Sequence, residues 1–164
     1  MNPLLRPEPL TKDSFAPFGD VIEIDGSQFY LINGGMVQRY HDLARIDVAA
    51  EGGHALLNLF RGKPYDYPLA VQSIERHPLG SQAFMPLSAT PFAVIVAPRG
   101  DQVTPADLRA FISDGHQGVS YRRNTWHHGL LALGQTCHFL VIDRGGPEEN
   151  CDEVVVDPAV VITA

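Results

Sequence analysis

The sequence predicts an all-β fold: a single-domain jelly-roll β-barrel over residues 1–164, with one or two short helices packed outside it. Three observations carry this. Short runs rich in β-branched and aromatic residues recur along the chain. Fifteen glycines and thirteen prolines punctuate them, so turns are many and long helices few. No linker, repeat or low-complexity tract divides the 164 residues, a length that makes one domain with room for a core.

The elements run in chain order. Thr11 is placed to cap a short helical turn running to Phe15, which Gly19 ends, and 21–24 reads as a strand. Residues 54–60 form another. Leu57 and Leu59 alternate there with Leu56, Asn58 and Phe60, apolar on nearly both sides, as in a strand sandwiched between layers. Further strands are expected at 71–77, 82–87, 92–97, 118–123 and 138–143, with a last one at 154–156. One helix is expected over 104–113. Thr104 is its cap, Pro105 its first helical residue, and Asp107 the acid three past the cap. Leu108, Phe111 and Ile112 supply an apolar stripe at helical spacing, and Gly115 stops the helix.

Composition excludes several classes. A net charge of −7 and a pI near 5.4 argue against a nucleic-acid surface. They leave a small anionic ligand open, because a local arginine cluster overrides the global sign. The two cysteines, Cys137 and Cys151, form no CxxC pair, and Cys137 reads as a small core residue. The N-terminal MNPLLRPEPL lacks the pattern of a signal peptide, and the longest apolar stretch, 92–97, has strand length, not membrane-span length. The expectation is a reduced, cytoplasmic protein with no membrane and no nucleic-acid partner.

Two segments carry the chemistry. Glu75 and His77 lie two apart, so a strand sends both to one face, and Gln82 comes after the Pro78-Leu79-Gly80 turn that brings the chain back beside itself. Arg76 turns to the other face. Asn124-Thr125-Trp126-His127-His128 is the second segment. Its adjacent histidines point to opposite faces of a regular strand, so at most one lines a pocket. Trp126 reads as a packed wall. Arg39, Arg61, Arg122, Arg123 and Arg144 remain available to hold an anion, with Arg122 on the same face as Asn124.

These residues resemble the two cupin motifs. Glu75-x-His77-x4-Gln82 is spaced like the first, with a Glu and a Gln standing where that motif has a His and a Glu. Asn124-Thr-Trp-His127 is similar to the second and favours His127 over His128. The likeness is sharper with one cupin branch, the ureidoglycolate lyases of allantoin degradation. Residues 37–43, 75–80, 82–84, 108–112, 124–128 and 142–146 resemble that family's blocks, in order and over nearly the whole chain.

The resemblance implies an enzyme of purine and nitrogen metabolism, a cytoplasmic homodimer that cleaves (S)-ureidoglycolate to glyoxylate and urea. It implies a divalent metal (nickel, manganese or zinc) on Glu75, His77, Gln82 and His127. The chemistry needs a base for the carbinol hydroxyl, an acid for the departing urea nitrogen and a cation for the carboxylate. His77 and His127, with Glu75, are the expected catalytic residues. Arg122, Gln82 and His128 are the expected substrate contacts. Two other readings stay open: a cupin-type module that senses a small organic acid without turnover, and a metal-dependent cupin isomerase.

Overall fold

The computed structural model of the protein describes residues 2–164. Strands dominate it, in two large sheets. In the five-stranded sheet the order is Gly19–Ile22, Gly118–Tyr121, Gln82–Pro86, Cys137–Gly145 and His54–Gly62. The larger sheet centres on Leu69–Arg76, Trp126–His127, Phe92–Ala97 and Arg109–Ile112, flanked by the long C-terminal strand Asp152–Ile162. Among the described residues, no helix is long and apolar enough to cross a membrane.

Two cores result. The first lies between the sheets: Phe92, Val94, Val96 and Phe111 come from the larger sheet, Phe84, Val119, Phe139 and Val141 from the smaller. The second packs the opposite face of the larger sheet, where Ala93, Ile95 and Ala97 meet Val71, Ile74 and Ile162. Phe92–Ala97 is therefore buried on both faces along its whole length, and its unbroken apolar run is the sequence mark of that position. This is the expected jelly-roll barrel.

The short helix at Lys12–Phe15 is capped as anticipated, with Thr11 Oγ1 accepting from the Ser14 N–H at 3.1 Å. Phe15, at its end, is fully buried against Phe18 and Phe111.

Two expectations are corrected. The helix over 104–113 is a single 3₁₀ turn, Pro105–Asp107, leading into the strand Arg109–Ile112. The cap is real: the Thr104 N–H and hydroxyl donate to Asp107 Oδ2 at 2.8 and 2.7 Å. The residues after it do not wind, because Arg109–Ile112 pairs antiparallel with Phe92–Ala97, Val94 opposite Phe111 and Ile95 opposite Ala110. Leu108 and Ala110 then enter one core and Phe111 the other, a period of two. A helix this short is marginal by itself, and strand partners on both sides outweigh it.

The second correction concerns His54–Gly62. It is a strand, but not a sandwiched one. It closes the open edge of the five-stranded sheet, and Leu57 and Leu59 on its outer side are each 68% exposed.

Candidate active site

The two motif segments meet at one end of the barrel, where the sheets come together. Glu75 sits directly opposite His127 in the antiparallel pairing of their strands. Beyond Arg76 the chain leaves the sheet at His77 and crosses to Gln82, which pairs with Tyr121 in the other sheet. The crossing is tight: a Cβ on Gly80 would lie 2.7 Å from the Arg144 Cβ, so that position requires glycine. Asn124 completes the junction. It takes the left-handed conformation (φ 65°), which asparagine tolerates, and its N–H donates to the His77 carbonyl at 3.0 Å.

Glu75, His77 and His127 form the one His/Cys/Asp/Glu cluster among the described residues whose ligand atoms lie within 4.8 Å of one another. Glu75 Oε1 is 3.5 Å from His127 Nε2 and 3.9 Å from His77 Nε2. Both rings are oriented from behind by carbonyls, which only accept. His127 Nδ1 donates to Thr125 O at 3.0 Å, and His77 Nδ1 to Asn150 O at 2.7 Å. In the neutral rings Nε2 is then a bare lone pair, and both point inward. His77 Nε2 also faces Gln82 Oε1 at 3.2 Å, and that amide is oriented by its Nε2 contact to Asp143 Oδ2 at 3.5 Å.

Four acceptors thus converge on one small volume with no donor among them. His127 Nε2 is fully buried and has no hydrogen-bond partner among the described residues. Burial holds the His127 pKa below its ordinary value, against the pull of Glu75. The Glu75 carboxyl is also held below its usual range, first by its contact with His127 when that ring carries a proton on Nε2, and it stays ionised despite its own partial burial. Mutually repelling lone pairs around a carboxylate are the environment a cation relieves. Histidines whose outer nitrogen is bonded to a carbonyl are the usual form of metal-ligating histidine. The donor set therefore fits a divalent metal.

A pocket of about 260 Å³ opens beside this cluster, lined by His77, Ser81, Gln82, Asp143, Arg144, Asn150 and Cys151. That is the space of about nine water molecules, enough for a small polar substrate. Larger hollows lie elsewhere. One of about 580 Å³ is lined by Ile24, Leu43, Met85 and Leu87 among others, and none of the acid–base cluster reaches it.

The family model for ureidoglycolate lyase matches residues 2–163. The chain belongs to the ureidoglycolate lyase family. A ureidoglycolate lyase of Burkholderia cepacia is 51% identical over 159 residues, which are 96% of this chain and 89% of that one. That of Burkholderia mallei (strain NCTC 10229) is 55% identical over 146 residues, 89% of this chain and 85% of its own. Among solved structures, the dTDP-6-deoxy-D-glucose-3,5-epimerase RmlC from Legionella pneumophila Philadelphia 1 is a looser likeness. Its TM-score is 0.44 at 11% identity, over 82% of this chain and 77% of that one.

Of the residues singled out from sequence for a lyase site, Glu75, His77, Gln82 and His127 are brought together. Arg122 and His128 are not. Arg122 donates to Ala16 O at 2.8 Å, approaches Asp20 at 3.4 Å, and does not line the His77 pocket. His128 takes the outward face, where its Nδ1 contacts only Gly129 O at 3.0 Å.

Sequence reasoning left Arg144 as one of several arginines available to an anion and missed three residues of the site, Tyr121, Asp143 and Asn150. Tyr121 stacks on the His127 ring, with centroids 4.3 Å apart and planes 17° from parallel. Burial, with Glu75 close by, pushes its phenol pKa up and keeps it neutral. Asp143 is held by Asn58 Nδ2 at 3.0 Å, and Arg144 and Asn150 line the same pocket. Only Tyr121 and Asp143 carried a signal, as inward members of strands whose alternation was already legible.

Proposed function

We propose that this chain cleaves (S)-ureidoglycolate to glyoxylate and urea. The relatives' shared name supports the substrate. The convergence of acceptors from Glu75, His77, Gln82 and His127 beside a small polar pocket, with His127 Nε2 lacking a partner among the described residues, supports the chemistry. These four would hold a divalent metal; nickel, manganese and zinc all suit nitrogen and carboxylate donors. When bound, it supplies Lewis acidity toward the substrate hydroxyl.

The chain's own groups do the rest. Arg144 holds the substrate carboxylate. Its Nε and Nη2 donate to the Ala50 and Glu51 carbonyls, which leaves a buried cation with no carboxylate partner among the described residues at the pocket wall. Asp143, fixed by Asn58 and Gln82, takes the carbinol proton at Oδ2 as the new carbonyl forms and the carbon–nitrogen bond breaks. It returns that proton to the departing urea nitrogen, so protons balance. A second reading rests on the 3.5 and 3.9 Å contacts of Glu75, which become ion pairs when the histidines are charged. In it His77 is the base and His127 the acid, with no metal.

The test of the activity is direct: with (S)-ureidoglycolate, glyoxylate and urea should form in equal amounts. Their absence with folded, metal-supplied protein would exclude a lyase and leave the organic-acid sensor or the isomerase. Exhaustive chelation is expected to abolish turnover, with recovery on adding back one of the three metals. Full activity in protein shown by elemental analysis to be metal-free would select the second reading.

We further propose that the working form is a cytoplasmic homodimer. Support for the compartment is that both cysteines are free. Support for the second copy is the apolar outer side of His54–Gly62, with Leu57 and Leu59 exposed, and the apolar hairpin Phe29–Ile32 with Val37–Tyr40, where Phe29 and Leu31 are 47% and 58% exposed. Sedimentation equilibrium should give twice the 17.9 kDa chain mass. Leu57→Asp with Leu59→Asp should return the monomer; a monomeric wild type at micromolar concentration would refute the dimer.

A further inference from the structure

A second polar cavity, of about 180 Å³, lies on the far side of Ser81, which lines both it and the His77 pocket. Its other walls are Arg45, Arg99, Arg122 and Arg123, with Asp20 and Asp47. Four of the chain's twelve Lys and Arg residues therefore meet in one place, in a protein of net charge −7.

They come from separate parts of the fold. Arg45 lies in the run before His54–Gly62, Arg99 in the loop after Phe92–Ala97, and Arg122 and Arg123 in the turn after Gly118–Tyr121. Two of them are occupied. Arg122 contacts Asp20 at 3.4 Å and Ala16 O, and Arg123 donates to Pro78 O and approaches Asp47 at 3.9 Å. Asp20 also accepts from the Arg45 backbone N–H. The Arg45 and Arg99 guanidinium groups make no hydrogen bond or ion pair among the described residues. Four positive charges against two negative leave an excess of two around a cavity the size of about six waters.

Gathering like charges from distant segments is unfavourable unless something of opposite sign offsets it. Guanidinium forks match the paired oxygens of carboxylate and phosphate. We propose that this arginine basin binds a small oxyanion, a carboxylate or a phosphate, at a site adjoining the His77 pocket and separate from it. The proposal stands whether or not the neighbouring pocket has the activity given above.

The experiment is calorimetric titration of the full chain with inorganic phosphate and, separately, with acetate at constant ionic strength. Saturable binding of at least one is expected, and which one binds names the source. Arg45→Gln with Arg99→Gln should weaken it by about tenfold or more, a loss of roughly 1.4 kcal/mol. Arg45→Lys with Arg99→Lys, which keeps the charge, should lose less, and His77→Ala should bind as wild type does. Both substituted arginines are exposed, and an unchanged circular dichroism spectrum verifies the fold. No saturable binding of either anion, equal binding by the glutamine double variant, or loss of binding in His77→Ala would each overturn the proposal.

Discussion

His77→Ala is expected to lower turnover by on the order of 10²-fold or more, the usual scale for losing a proton-transfer group, while the Michaelis constant changes less. The reason is positional. His77 is the cluster member that also lines the substrate pocket, and its ring is clamped between Asn150 O and Gln82 Oε1. As a metal donor or as a base it acts on the reacting hydroxyl, so its loss is felt in the transition state more than in binding. The two roles separate by a second readout. A ligand's loss lowers the metal content of the purified protein, whereas a base's loss leaves composition unchanged. Steady-state glyoxylate formation with parallel elemental analysis makes both measurements. Wild-type turnover at saturating substrate would remove His77 from the reaction both as a metal donor and as a base.

The largest effect on stability is expected at Phe111. Phe111→Ala should destabilise the fold by about 3–5 kcal/mol, the range for emptying a buried aromatic site. Phe111 is fully buried between the sheets, edge-on to Phe15 at 5.6 Å and tilted against Phe18 at 6.0 Å. On an outer helix, the position the local pattern assigns it, the same truncation would cost far less. Urea unfolding monitored by circular dichroism decides: a loss below about 1 kcal/mol, the scale of ordinary surface changes, would remove Phe111 from the core.

How much was legible varies with the range of the interactions involved. Strands at 54–60, 71–77, 82–87, 92–97 and 138–143 match observed elements closely, because alternation and apolar runs are properties of the strand itself. Leu108-Arg109-Ala110-Phe111-Ile112 misled because five residues fit a helical stripe and an alternating strand equally well. The decision belonged to Phe92–Ala97 alongside. The hairpin Phe29–Ile32 with Val37–Tyr40 was passed over.

The site divides the same way. The period of two put Glu75 and His77 together, and spacing together with family resemblance singled out Gln82 and His127. All four meet. Arg122 shares a local face with Asn124 but is drawn aside by Asp20 and Ala16, partners about a hundred residues away that no local pattern reveals.

By itself, then, the sequence determined the β class, the buried Phe92–Ala97 strand, the turn at Gly80, the family, and which histidine and carboxylate types gather. Each of these rests on periodicity, glycine geometry or motif identity within a few residues. Tertiary structure alone decided that Arg109–Ile112 extends and that Leu57 and Leu59 face outward. It also decided that Asp143 and Arg144 line the pocket and that Tyr121 stacks on His127. The physical reason is that strand pairing, burial and ion pairing are settled between segments far apart in the chain. Where local preference is weak, the partner across the sheet chooses the outcome.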